Sequence, residues 1–134
     1  MAEKAGKAAK QSDKSFQEIA DQIYQHLEER DWLDNPPRAL AISLVLEASE
    51  LLEHYQWHDK PVGDKAALAE ELADVFIYAF EFGNSQGIDI PAAIEDKLTK
   101  AGKKYPAENF KNKSTEEREQ NWIDSKLKHT KGGL

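Results

Sequence analysis

Cysteine is absent from the chain. That excludes disulfides, zinc–thiolate centres and cysteine nucleophiles together. Bases are in short supply: 18 Lys and Arg against 25 Asp and Glu leave a net charge of −7. Affinity for a nucleic-acid polymer comes mainly from Lys and Arg on the phosphates, so such a partner is not expected. Any phosphate bound here needs positive charge from elsewhere, and a divalent cation held by carboxylates is the obvious source. Long apolar runs are missing too. The longest uncharged one, ALAISLVL at 39–46, has eight residues, against the ~20 needed to span a bilayer. The opening MAEKAGKAAKQSDKS has lysines but no hydrophobic core segment, so it does not read as a secretory signal. With no membrane partner indicated, the expected location is the cytoplasm.

Apolar residues make up 40% of the 134 positions, enough for one domain with a modest core. They fall between about Phe16 and Tyr105, and both ends are polar. Residues 1–14 read as a mobile arm, 15–110 as the domain, and 111–134 as a polar extension that can form a short helix. Ser15 and Glu18 form a capping-box pattern ahead of Phe16, Ile19, Ile23 and Leu27, which recur at helical spacing. DWLDNPPR breaks that helix, because Pro36 and Pro37 suit only a helix start. A second helix is expected from Pro37 to Trp57. A third should run from about Asp64 to Ser85, and a fourth from about Ile90 to Lys104, stopped by Tyr105–Pro106. Ser114 and Glu117 form another capping-box pattern. No strand alternation is present. The expectation is an all-α protein, a four-helix bundle with short connections and antiparallel neighbours.

The chemistry lies in acids set among apolar residues. In LVLEASELLEHYQW, Glu47, Glu50 and Glu53 recur every three residues. Glu47 has Leu44 and Leu51 as one-turn neighbours, so it sits in the apolar stripe. The next helix repeats the pattern in EELADVFIYAF, where Glu71 and Asp74 border Val75, Ile77 and Tyr78. Glu70 and Glu81 point elsewhere and read as ordinary solvated acids. Isolated buried carboxylates are costly, and no Lys or Arg lies between 39 and 57 to pair with them. If the two helices pack antiparallel, Glu47, Glu50, Glu71 and Asp74 converge on an oxygen-only site suited to Mg²⁺, with Mn²⁺ also acceptable. A di-iron bundle needs Glu-x-x-His. The residues three after Glu50, Glu53 and Glu71 are Glu53, Gln56 and Asp74, and His54 is four after Glu50. One such acid pair more often marks a solvated face; two pairs on consecutive apolar helices point to function as readily as not.

EASE and ELAD, twenty residues apart, resemble the ExxE…ExxD signature of the all-α NTP pyrophosphatases, the MazG-like and dCTP-pyrophosphatase group. ERDW, PRAL, GIDI and DKLTKAGKKYP agree in order and spacing. The resemblance covers about 16–110. It implies hydrolysis of nucleoside triphosphates between the α and β phosphates, with Glu47, Glu50, Glu71 and Asp74 holding Mg²⁺. Glu53 would be a further catalytic acid, either a second metal ligand or a group that positions water. The resemblance also implies that Trp32, Trp57 and Tyr78 line the base pocket and that Lys97, and less surely Lys100, Lys103 and Lys104, neutralise the triphosphate. On physical grounds alone the three aromatics would be packing residues or a helix-end anchor. The lysines would be a solvated basic helix end.

Two positions depart from the dCTP-type pattern. Ala101 stands where many relatives have an Asn, and Ile23 where some have a His, with His26 one turn away. Both bear on base specificity. Relatives assemble as dimers or dimers of dimers, and a homo-oligomer is expected here, a tetramer ahead of a dimer. Within the superfamily, phosphoribosyl-ATP pyrophosphohydrolase and dUTPase-like activities are alternatives; a non-catalytic helical interaction module is a third.

Overall fold

The computed structural model describes residues 10–130. Of the arm expected at 1–14, residues 1–9 lie outside that range; 10–14 are irregular and exposed. Among the described residues there are five α-helices and no strand: α1 Phe16–Glu28, α2 Pro37–Glu53, α3 Lys65–Ser85, α4 Ile90–Lys104 and α5 Thr115–Thr130. None is long and apolar enough to cross a membrane. The chain divides into two compact units, one ending at Ile88 and the other starting at Asp89.

Helix starts follow local chemistry. The Ser15 hydroxyl accepts from Glu18 N–H at 3.2 Å, while the Glu18 carboxylate accepts from Ser15 N–H at 2.7 Å. Ser114 and Glu117 repeat the arrangement at 3.1 and 2.8 Å. Asp64 and Asp89 cap α3 and α4 by accepting from Ala67 and Ala92 N–H, each at 2.9 Å. Each bond satisfies an amide the helix cannot, which contributes about 1 kcal/mol.

Helix ends are set as locally. At the end of α1, Trp32 N–H reaches back to Leu27 C=O at 3.0 Å and Asp31 N–H to Glu28 C=O at 3.1 Å. This is a Schellman stop, with Asp31 at φ 56° in the left-handed region that short polar side chains tolerate. The ERDW stretch is therefore a helix terminator that sets Trp32 just past it. Gly87, at φ 64°, stops α3 the same way, with Ile88 N–H on Gly83 C=O at 2.8 Å.

In the first unit α2 and α3 are the principal pair, and α1 rests chiefly on α3. Leu27, Leu40 and Phe80, one from each helix, form the buried apolar core, and Phe16 stands edge-on to Phe80 with centroids 5.2 Å apart. Much of the apolar stripe stays exposed: Ile42, Val45, Leu46 and Leu52 on α2, and Leu72 and Phe76 on α3.

Glu81 overturns an expectation. It is not a solvated acid but is 6% exposed. Its carboxylate accepts from the Asn35 side-chain amide at 2.8 Å, and the same amide group reaches Trp32 C=O at 3.2 Å. The partner comes from 46 residues away, so position on α3 alone could not reveal it.

The second unit comprises α4, a 3-10 turn at Ala107–Asn109, and α5. Tyr105 and Phe110 pack edge-on at 6.0 Å, and the Asn121 amide donates to Asn109 C=O at 2.6 Å. Lys126 lies over the Trp122 ring, so this tryptophan packs within the C-terminal segment as expected.

Candidate active site

Glu47 and Glu50 stand one turn apart on α2, about 4.5 Å along the axis at 1.5 Å per residue. Glu71 and Asp74 stand one turn apart on α3. The helices run antiparallel: Glu47 meets Asp74 and Glu71, while His54, just past the end of α2, meets Glu71. One carboxylate oxygen from each of Glu47, Glu71 and Asp74 lies within 4.8 Å of the other two. All three residues are half-buried. Glu50, expected as a fourth member, is more exposed and lies outside this trio, though near enough to raise the carboxyls of Glu47 and Glu71.

Electrostatics follow from this crowding. Burial pushes the Glu47 carboxyl above the usual glutamate range, and the neighbouring charges of Glu50, Asp74 and Glu71 push it further. Burial also raises Glu71, followed by its contact with Glu50; His54 pulls the other way. The crowding that raises Glu47 and Glu71 is what a divalent cation would relieve. The donors are all oxygen, the chemistry of a hard ion. At the ~2.0–2.1 Å ligand distance of Mg²⁺, adjacent ligands lie about 3 Å apart and opposed ones about 4.2 Å, so the three oxygens would draw together around an ion. The acids present therefore fit such an ion.

Glu53 lies outside the three-acid group. It lines an open cavity of about 440 Å³ with Glu50, His54, Val62 and Glu71. His54, which stands off the Glu-x-x-His spacing of an iron site, lies beside these acids. Its Nε2 is 3.8 Å from a Glu71 oxygen, and among the described residues no Lys or Arg ion pair reaches the acids. The signal was its place seven residues after Glu47, two turns along the same helix.

The α2 boundary needs correction. The helix ends at Glu53, not at Trp57. The loop folds back on its last turn: Val62 N–H donates to His54 C=O at 2.9 Å and Gly63 N–H to His54 Nδ1 at 3.1 Å. Trp57 therefore sits in the α2–α3 loop, 78% exposed, rather than anchoring a helix end. Trp32 is half-exposed after α1, edge-on to His26 at 6.2 Å between centroids. Tyr78 is half-buried one turn beyond Asp74 on α3. Lys97 and Lys100 are exposed on α4 in the second unit. Lys103 and Lys104 line a polar cavity of about 290 Å³ there with Asp124, Lys128 and His129.

The MazG-like family model matches residues 42–120, more than half of the chain. The chain belongs to the MazG-like family. Within this family it is 39% identical over 88 residues to human dCTP pyrophosphatase 1. It is 37% identical over 87 residues to the mouse dCTP pyrophosphatase 1. These matches take in 59% and 58% of this chain, but only 52% and 51% of the relatives. The MazG-like chain thus spans about half the length of the curated relatives it matches. Among solved structures, a pyrophosphatase from Archaeoglobus fulgidus DSM 4304 superposes with a TM-score of 0.60 at 30% identity. That match covers 72% of this chain and 97% of the other.

Proposed function

We propose that this MazG-like chain is a divalent-metal-dependent nucleoside triphosphate pyrophosphohydrolase. It cleaves between the α and β phosphates of a dCTP-like or other deoxynucleotide and serves nucleotide-pool house-cleaning. The observation that carries this reading is the convergence of Glu47, Glu71 and Asp74 from two helices. Likeness to dCTP pyrophosphatases supports the substrate class.

Glu47, Glu50, Glu71 and Asp74 would hold the ion, Mg²⁺ by preference. When bound, it supplies charge to the phosphate oxygens and acidity to a water. Glu53, on the same cavity but outside the three-acid group, orients the attacking water. In-line attack asks little covalent chemistry of the protein, so positioning carries the rate. Lys97 balances phosphate charge, and Trp32, Trp57 and Tyr78 stack on or flank the base. Losing the Asn side chain at Ala101 and the His at Ile23 alters discrimination between bases more than turnover.

The exposed apolar faces of α2 and α3, with three buried apolar side chains in the core among the described residues, support a homo-oligomer, a tetramer ahead of a dimer. A tryptophan as exposed as Trp57 makes a closed pocket wall only if a second copy covers it. The direct test is pyrophosphate release with Mg²⁺ across the eight common NTPs and dNTPs, dUTP and 5-methyl-dCTP. Glu47→Gln and Asp74→Asn should abolish it with the helical content unchanged. Wild-type turnover in either variant removes the metal-site assignment.

A further inference from the structure

We propose that His54 is a positioning residue, locked by the Gly63 amide, that keeps the Glu71 carboxylate turned toward Glu47 and Asp74. This rests on the reading of Glu71 as a metal-holding acid.

Three observations meet at His54. Its side chain is only 14% exposed, although it lines an open cavity. Gly63 N–H donates to Nδ1 at 3.1 Å. An Nδ1 that accepts a hydrogen bond leaves the ring proton on Nε2, and Nε2 is the atom facing Glu71 at 3.8 Å. The loop amide therefore sets both the plane of the ring and the tautomer.

Position 63 is built for this. A Cβ there would run into His54 Cε1, come within 2.7 Å of Nδ1 and within 3.0 Å of the Ala67 Cβ. Glycine is needed for close approach of backbone to ring, not for an unusual φ.

The distance matters for the role. At 3.8 Å the contact is electrostatic rather than a hydrogen bond. It orients the carboxylate without occupying the lone pairs a cation would use. A lysine in the same place would bring a full mobile charge to compete with that cation. Groups that orient metal ligands from behind typically change affinity about 10- to 100-fold when removed.

The test uses the full chain and Mn²⁺ alone, titrated calorimetrically without nucleotide, beside thermal unfolding. His54→Asn keeps an acceptor near the Nδ1 position but removes the edge that faces Glu71. It should unfold close to wild type and bind Mn²⁺ at least about tenfold more weakly. Gly63→Ala, which displaces the ring, should weaken binding similarly, and the two changes should not add. If His54 only ties down the loop, His54→Asn binds Mn²⁺ within twofold of wild type, and the proposal is overturned. If His54→Asn misfolds, His54→Gln, which offers both an acceptor and a donor, replaces it. Mn²⁺ binding by His54→Gln should then lie between that of wild type and His54→Ala, and equality with His54→Ala refutes positioning. Glu71→Gln separates the two ideas. Unchanged Mn²⁺ binding in that variant defeats the metal reading itself. Lost binding there, with His54→Asn unaffected, defeats positioning alone.

Discussion

The buried bond between Asn35 and Glu81 should behave as a single energetic unit. Glu81 is 6% exposed and takes its hydrogen bond from Asn35 at 2.8 Å. Hydrogen bonds to charged groups contribute about 1.5–3 kcal/mol, and stranding a buried charge costs about 3–5 kcal/mol. Asn35→Ala strands the carboxylate but leaves room for water beside the exposed Asn35 site, so its cost should be about 2–3 kcal/mol. Glu81→Ala loses the same bond but strands nothing charged, and should cost about 1–2 kcal/mol with its small cavity included. The double variant should fall short of the sum by at least 1 kcal/mol. Urea unfolding followed by circular dichroism, at one fixed protomer concentration, reads these differences. With a slope of about 1–3 kcal/mol per molar, a cost of about 2–3 kcal/mol moves the Asn35→Ala midpoint by roughly 0.7–3 M. Strict additivity, or an Asn35→Ala midpoint equal to wild type, would refute the reasoning.

The raised Glu47 and Glu71 carboxyls set a pH dependence. The metal-free native state holds these protons more tightly than the unfolded chain does. Their contribution is thus full below the ordinary glutamate range and is lost as pH rises through the raised values. Thermal scans should show Glu47→Gln losing less stability than wild type across that window, and Mn²⁺ restoring wild type but not the variant; parallel curves would contradict this. Trp57→Ala should leave the unfolding temperature nearly unchanged, since the side chain is 78% exposed. It should still raise KM for the preferred triphosphate, and an unaltered KM would remove Trp57 from the base pocket.

Where the governing physics was local, the sequence could be read through to structure. Ser15 with Glu18 and Ser114 with Glu117 became reciprocal caps, and α4 runs from Ile90 to Lys104 as its prolines predicted. The ExxE and ExxD spacing placed Glu47, Glu71 and Asp74 on facing turns, because helical periodicity fixes which residues share a face. What escaped notice depends on partners distant in the chain. α2 stops at Glu53 because Val62 and Gly63 return to His54. Glu81 is buried with a partner, Asn35, that comes from the loop before α2. His54 falls two turns after Glu47, but that spacing does not name its partner; only the fold brings it to Glu71.

The narrow seat of α1 has a kinetic meaning. This helix is held chiefly by α3, through Leu27, the Phe16–Phe80 edge contact and the Asn35 tie beyond its stop. Elements with few buried contacts open in their own cooperative step, below the free energy of global unfolding. An excursion that lifts α1 carries the Trp32 indole with it, while α2 and α3 stay in register and the carboxylates keep their spacing. Trp32 and the acidic cluster of this unit would then breathe on separate clocks.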